Sequence, residues 1–579
     1  MERRVLLAIT LSFLVLFLFQ RFVMPPPAPV PAVPPVGPTA GPTGGNTTPQ
    51  ASAAPGAATV APRMDLAVAR ERDNGPTAPV AVAATVSESA AREIVVETTK
   101  VKAVFSNRGA KILHWILKEY RNDQGLPLDL VPSSAGEEAI KPFTLTVDDE
   151  ALSARINDAI YRVTVEGSAA GDTVDGTASP KSVLFEAASA DGLSVKKTFS
   201  VEPTSYIVGF SPTVMMGSQR LNPVIHWGPG LGDDIARSPP ASFFSPSYNT
   251  PAQPIIHKDG SVERITPGES GAQDGTFRYA GVDDHYFVSM LLNEQNTKPF
   301  RVQYGPAFVP QPDVPELIGK YITYSIRFEQ PADQSRFFFG PKAFDDLKAI
   351  DAEATRVINF GIFSWLAVPL LGALKWVHGF IGNWGWAIVV LTILINVALF
   401  PLRHKSVVSM KKMQEIQPQM KAIQDRYAKY KVTDPERQKM NTEVMELYKA
   451  KGVNPASGCI PTLLTFPFLF AFYAMLSQAI EIRGADFALW INNLSGPDPY
   501  YVLPLVFGAI QVYQMKITPA AGDPTQQKVM MFMPVMFTLM SLSFPSGLVL
   551  YWLVSTVLTI LQQQFTTYLT GAPARAAAK

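Results

Sequence analysis

Residues 384–402, 458–480, 500–515 and 529–567 contain no Asp, Glu, Lys, Arg or His. A helix needs about 20 apolar residues to cross a bilayer, and helices satisfy their own backbone polar groups there. The last run is too long for one span and breaks at Phe544-Pro545-Ser546-Gly547. The spacing therefore predicts five membrane helices, at 384–402, 458–480, 500–516, 528–543 and 547–567. A sixth apolar run at 5–19 follows Arg3 and Arg4. It ends on Gln-Arg-Phe-Val-Met and then Pro25-Pro26-Pro27, which disfavours signal cleavage. It reads as an uncleaved anchor over 1–24 with the N-terminus in the cytoplasm.

The rest of the 579 residues divides by composition. From 25 to 90 the chain is Pro, Ala, Gly and Thr with few large apolar side chains, so it reads as a disordered linker. Over 91–345, short apolar strands alternate with turn signals, as in Ile94-Val95-Val96-Glu97, Val101-Lys102-Ala103-Val104-Phe105 and Lys197-Thr198-Phe199-Ser200-Val201. Period-2 patterning predicts a large β domain, a sandwich, outside the cytoplasm after one crossing. The whole-chain net charge of +1 points to no nucleic-acid partner. A single cysteine, Cys459, excludes an internal disulfide and reads as a small buried residue with an inert thiol.

Charge sets the topology. Residues 403–457 carry twelve Lys and Arg against six Asp and Glu, net +6, which places them in the cytoplasm. If 358–380 also crossed, that segment would lie outside. Residues 346–381 are therefore expected to hold an interfacial amphipathic helix, with Trp365, Lys375, Trp376 and His378 at headgroup depth. Within 403–457, Val407, Met410, Met413, Ile416, Met420, Ile423 and Tyr427 form one helical stripe, and Met440, Val444 and Leu447 a second. Thr433-Asp434-Pro435-Glu436 between them predicts a capping box opening the second helix. The Met stripe reads as the seam of a helical hairpin or as a soft contact surface, with Met410, Met413, Met420, Lys411 and Lys412 as its candidate contacts. Pro418 is expected to kink the first helix.

Polar side chains within spans are costly and face a partner or a wet cavity. Thr392 and Asn396 share one face of the first span. Gln511 and Gln514 lie in the third, and Ser555, Thr559 and Gln562 advance by four and three in the last, headed by Tyr551 with Trp552 beside it. Collectively they predict a hydrated groove among the helices, open to the cytoplasmic side. Phe466, Phe468, Phe472, Tyr551 and Trp552 are expected to form its apolar, lipid-open wall. No Walker-type loop, HExxH or G-x-S-x-G motif occurs, so no nucleotide or other cofactor is expected and the chain reads as a non-enzyme.

Several segments, taken in order, resemble the YidC/Oxa/Alb membrane protein insertase family in its long Gram-negative form. They are Asn383-Trp384-Gly385, Phe400-Pro401-Leu402, Ser409-Met410, Gln417-Pro418, Leu447-Tyr448-Lys449, Val453-Asn454-Pro455, Gly458-Cys459-Ile460-Pro461, Phe487-Ala488-Leu489-Trp490-Ile491, Asp498-Pro499-Tyr500-Tyr501, Met533-Pro534, Phe544-Pro545-Ser546-Gly547-Leu548 and Gln562-Gln563-Gln564. Weaker echoes in the β domain are Asn107-Arg108-Gly109-Ala110, the run 281–287 and Gly340-Pro341-Lys342. The resemblance implies a polytopic α-helical inner-membrane protein of six transmembrane helices with both termini cytoplasmic. Its parts would be the anchor and linker, a periplasmic β-supersandwich over 91–345, and the interfacial helix. A five-helix insertase core over 382–570 with a cytoplasmic hairpin at 403–457, and a tail over 571–579, would complete it. It implies insertion of nascent membrane proteins, alone or with the Sec translocon and ribosome, by a monomer working against membrane lipids. A solute transporter and a membrane-anchored, periplasmic sugar-active enzyme are the alternatives; for the latter His226, His257, Asp283, Asp284 and His285 are the scattered candidates. The family groove generally carries a positive residue mid-span where this chain has Asn396, and Arg403 lies seven residues on, at the cytoplasmic rim. The expected groove residues are thus Thr392, Asn396, Arg403, Gln511, Gln514, Tyr551, Trp552, Ser555, Thr559 and Gln562, acting by hydration rather than by charge attraction.

Overall fold

The computed structural model describes residues 84–569 except 123, 133–138, 166–171, 233–249, 294–296, 311–317, 428–429, 431–433, 453–459 and 518–523. The anchor, nearly all of the linker, the tail and Cys459 therefore lie outside the described residues. Two compact units emerge. Among the described residues the first comprises 84–232, 251–284 and 288–340; the second comprises 250, 285–287 and 341–569.

The first unit is built from antiparallel sheets, as the period-2 patterning predicts. The largest has eleven strands, with Lys181–Ser189, Leu193–Val201, Ile207–Met216 and Ser335–Pro341 adjacent in that order. Two five-stranded sheets accompany it. One is centred on Phe300–Pro310 and Ile318–Phe328, the other on Lys111–Arg121 and Val101–Ser106. In the latter a single parallel pairing joins Glu93–Glu97 to Thr173–Asp175. One helix, Glu150–Asp158 (α1), interrupts the β architecture, capped by Asp149 accepting from the Leu152 N–H.

Leu193–Val201 shows how the alternation works. Leu193, Val195, Lys197, Phe199 and Val201 all point inward. Phe199 joins a ring cluster around Phe143, whose centroid lies 4.6 Å from that of Phe210 and 5.2 Å from those of Phe199 and Phe337. Lys197, forced inward by the same period, is fully buried. Its ammonium donates to the carbonyls of Gly109, Phe143 and Ala110 at 2.6, 3.0 and 3.2 Å. Burial pushes its pKa well down.

The second unit is helical. Phe344–Ile350 (α2) leads through two 3₁₀ turns to Ser364–Ile381 (α3). Gly382, at φ 72°, ends α3, and Asn383 at once caps the next helix by accepting from the Trp386 N–H at 3.0 Å. That helix, Trp384–Arg426 (α4), is continuous for 43 residues through both Pro401 and Pro418. The expected boundary at 403 is thus not a break: the first predicted span and the first hairpin helix are one element. Pro435–Ala450 (α5) follows. Its cap is Asp434, which accepts from the Glu436 N–H; Thr433 lies outside the described residues. Ile460–Gln478 (α6), Val502–Ile517 (α7), Pro524–Ser541 (α8) and Ser546–Leu569 (α9) match the remaining four predicted spans.

Among the described residues, Gly361–Ile381, Trp384–Ser409 and Ser546–Leu569 are long and apolar enough to cross a membrane, and Phe466–Gln478, Val502–Ile517 and Phe532–Ser541 are shorter apolar helices. α3 buries Ala367, Leu370, Leu371, Leu374 and Val377 and leaves Trp365, Trp376 and Phe380 exposed.

Candidate functional site

The polar positions on α4 and α9 meet in one cluster. Thr392 is buried, its hydroxyl donating to the Ile388 carbonyl one turn back. Asn396 is 3% exposed; its amide donates to the Thr392 carbonyl at 2.8 Å. The Asn396 side-chain oxygen accepts from Arg403 Nη1 at 2.6 Å. The same Nη1 lies 2.9 Å from Thr559 Oγ1 and 3.4 Å from Gln562 Oε1, both acceptors on α9. Gln562 Nε2 returns to the Asn396 carbonyl at 3.0 Å. Thr559 donates in turn to the Ser555 carbonyl at 2.7 Å.

Arg403 and Asn396 are therefore directly joined through their side chains. Helical side chains lean toward the helix N-terminus, and seven residues span about two turns, within reach of an extended arginine. The Asn396 amide is reached by a guanidinium from further along the same helix. That lean, combined with the i, i+7 spacing, was the available sequence signal. All three of Arg403's side-chain contacts are to neutral oxygens, and no carboxylate pairs with it among the described residues.

Around this cluster the other candidates separate. Tyr551 stacks face to face on Phe472, centroids 4.2 Å apart. Trp552 packs among Phe507, Phe537 and Phe544 at 5.1–5.8 Å. Phe472, Tyr551 and Trp552 are buried, so these three do not form the open wall expected of them; Phe466 and its neighbour Phe470 are exposed. Gln511 and Gln514 lie half-buried on α7 and are not among Arg403's partners. Gln511 Oε1 and Trp552 Nε1 are buried without a hydrogen-bond partner among the described residues. Sequence reasoning missed two further links. His404 Nδ1 meets the buried Thr566 hydroxyl at 3.1 Å, and Gln563 donates to the Ile517 carbonyl at 3.2 Å. Both continue the α9 polar face toward the C-terminus, and the second ties α9 to α7.

The α4 and α5 arms pack on one another. Tyr448 donates to Met420 Sδ at 3.0 Å, and Glu443 receives both Arg426 and the Tyr427 hydroxyl, at 2.8 and 2.6 Å. Met420 therefore belongs to the seam. Lys412 is exposed, while the side chains of Met410, Lys411 and Met413 lie outside the described residues. His226, His257, Asp283 and Asp284 of the β unit and His285 of the helical unit are all buried. His226 pairs with the Thr146 hydroxyl, and His257 packs against the Tyr279 ring. No group of three or more potential metal ligands forms among the described residues.

Two family models match the chain: "60Kd inner membrane protein" over residues 376–572 and "YidC periplasmic domain" over 93–373. Among curated proteins, the chain is 32% identical to the membrane protein insertase YidC of Geobacter metallireducens, across 98% of each chain. It is 33% identical to that of Oleidesulfovibrio alaskensis, across 84% of this chain and 88% of that one. Among solved structures, a crystal structure of active YidC insertase with its first transmembrane domain resolved matches over 84% of this chain and 94% of that one, at 18% identity and a TM-score of 0.34.

Proposed function

The chain belongs to the YidC family of membrane protein insertases, and from that premise we propose how its helical unit moves a client segment from water into lipid. It is an inner-membrane insertase with a periplasmic domain, acting on membrane proteins. Solute transport and sugar chemistry, the two alternatives, give way to that assignment.

In the proposed arrangement six helices span the membrane: the anchor, α4 as far as about residue 402, α6, α7, α8 and α9. The lower half of α4 and α5 form the cytoplasmic hairpin, and α3 lies along the outer interface with Trp365 and Trp376 at headgroup depth. Both termini are cytoplasmic. The hairpin's net charge of +6 and its exposed Lys412 suit a surface that meets the ribosome and the nascent chain, and the Sec translocon is a partner on some routes. The functional unit is a monomer.

The observation that carries the mechanism is Arg403: a guanidinium held between α4 and α9 by three neutral oxygens, with no carboxylate of its own among the described residues. Nη1 is committed to those oxygens, which leaves Nη2 and Nε for a client. An acidic residue flanking a client helix must leave water to cross, at about 3 kcal/mol on the insertion scale. A carboxylate about 4 Å from a guanidinium gains about 4 kcal/mol at an effective dielectric near 20. The two are of one size, so the site offsets the crossing cost without trapping the tail. Charge attraction, set aside on sequence grounds because Asn396 is neutral, thus returns through Arg403. Gln511 and Trp552, each with an unpartnered buried polar atom, offer further hydrogen bonds to client backbone. The apolar part of the client then partitions into lipid, which drives the step with no bond made or broken and no nucleotide consumed.

The test is reconstitution in liposomes with a ribosome-bound nascent membrane segment and photocrosslinking probes at Ser555 and Gln562. Crosslinks followed by protease-protected client support the route along α9. Protected client without crosslinks overturns that route, and insertion that does not depend on the protein overturns the insertase reading.

A further inference from the structure

The connection between α6 and α7 holds one leucine in a strained backbone conformation with its side chain in the open. Leu489 has φ 57°, in the left-handed region, and its side chain is 86% exposed. It occupies the second position of a four-residue turn closed by the Ile491 N–H donating to the Ala488 carbonyl at 3.1 Å, a position where positive φ favours glycine. The turn is fixed on both sides. Asn383 Nδ2 donates to the carbonyls of Asp486 and Phe487 at 3.2 and 3.1 Å, and the Phe487 ring lies against Gly385, where an added Cβ would come within 2.0 Å of it. On the other side Ile491 is buried, and Trp490 Nε1 donates to Asp498 at 3.0 Å. Leu494 and Gly496 accept from the N–H groups of Gly547 and Ser546 at the start of α9. The loop is thus tied to the first turns of α4 and α9 together, at the end of the bundle remote from Arg403.

Backbone strain and a fully presented leucine coincide in this turn. Its surroundings share the second property. Tyr500 is 68% exposed, Tyr501 is half exposed and also left-handed at φ 57°, and Trp386 is half exposed one turn into α4. Tyr and Trp with an apolar body and a polar tip are the side chains that settle at a membrane–water interface. We propose that the 485–501 loop is a lipid anchor of the outer leaflet, with Leu489 inserted among the acyl chains and Tyr500, Tyr501 and Trp386 at headgroup level. The anchor fixes the depth of the α4 and α9 ends against the bilayer. The backbone strain at Leu489 is maintained because the turn that aims the side chain at lipid is set by its two flanking ties. This rests on the membrane placement of the bundle given above.

The experiment uses the full chain with Cys459→Ala, which removes its only thiol, reconstituted in phosphatidylethanolamine/phosphatidylglycerol vesicles. Nitroxide labels are placed singly at Leu489→Cys, at Asn492→Cys in the same loop, and at Leu394→Cys on an exposed mid-span face of α4. Accessibility to oxygen and to a water-soluble nickel chelate is measured for each, and retained insertion activity verifies folding. The expected result is several-fold higher oxygen than nickel accessibility at 489, as at 394, with the reverse at 492. Nickel accessibility at 489 equal to that at 492 overturns the anchor. Shielding of 489 from both reagents overturns it too, in favour of a protein contact. A water-accessible label at 394 identifies failure of the membrane placement instead.

Discussion

The guanidinium of Arg403 reaches back two helical turns to the side-chain oxygen of Asn396, 2.6 Å away, and places a positive charge where the local sequence has an amide. In the proposed mechanism Asn396 is the tether of that charge. Its other contacts, from its own amide to the Thr392 carbonyl and from Gln562 to its backbone carbonyl, hold it in place for that purpose.

Replacing the tether should loosen the charge without removing it. Asn396→Leu deletes one acceptor of Arg403, a loss of about 1.5–3 kcal/mol for a hydrogen bond to a charged group. Initial rates of insertion into vesicles should fall about tenfold for clients with acidic flanks. They should fall much less for neutral ones. Adding Gln511→Leu should slow acidic clients further. Equal effects on both client classes would assign Asn396 to helix packing alone.

Gly508 on α7 lets α8 approach closely: a Cβ there would lie 2.1 Å from Thr538 Oγ1 and 2.8 Å from its methyl. Gly508→Ala should destabilise the helical unit by about 1–3 kcal/mol through overpacking. Thr538→Ala in the same chain should recover most of that loss. Thermal unfolding of the two variants in detergent measures the coupling, and additive effects would contradict the contact.

In the β unit, Lys197→Met keeps the stem but leaves the carbonyls of Gly109, Ala110 and Phe143 without their donor. Unsatisfied buried acceptors cost about 1–3 kcal/mol each. The unit should lose about 3 kcal/mol or more, read by denaturant unfolding monitored at the buried Trp115. A neutral or stabilising outcome would show that the ammonium is replaceable by packing.

His226 supplies a pH dependence. Burial holds its pKa down to about 4, against about 6.5 in the unfolded chain. Between those values the unfolded chain binds the extra proton, so this contribution is intact above pH 6.5 and is lost as pH falls toward 4. The full loss is about 3 kcal/mol. His226→Gln should flatten the acid limb of the unfolding midpoint against pH. An unchanged acid limb would remove His226 from the account.

Much of this was legible in the sequence, for identifiable reasons. Runs without ionisable groups located the helices α6, α7, α8 and α9, because a segment built for a bilayer combines helical length with apolarity. Period 2 over 197–201 put Lys197 on the inward face, although nothing local told of its three carbonyl partners, which come from distant segments. The continuity of α4 was not legible, since Pro401 and the change from apolar to basic both read as a boundary. Nor was the burial of Phe472, Tyr551 and Trp552, because an aromatic at a helix position carries the same pattern whether it faces lipid or a neighbouring ring. The link from Arg403 to Asn396 was not legible for a similar reason: position along the helix was read from the Cα, whereas the guanidinium reaches back along α4 to meet the Asn396 side chain. The left-handed conformation of Leu489 was not legible, because positive φ at a leucine arises from ties to Asn383 and Asp498 that lie far off in sequence or run through side chains.

The most direct test pairs two clients that differ only in translocated tails, one bearing Asp residues and one bearing Asn at the same positions. Insertion into vesicles is timed with the native chain, with Arg403→Gln and with Arg403→Lys. If the Arg403 guanidinium acts on client charge, Arg403→Gln slows the Asp client by about tenfold or more and leaves the Asn client nearly unchanged, with Arg403→Lys intermediate because it keeps the charge but loses the fork. Identical rates for both clients across all three proteins would contradict a guanidinium acting on client charge, and would leave the cluster at Asn396, Thr559 and Gln562 as a joint between helices.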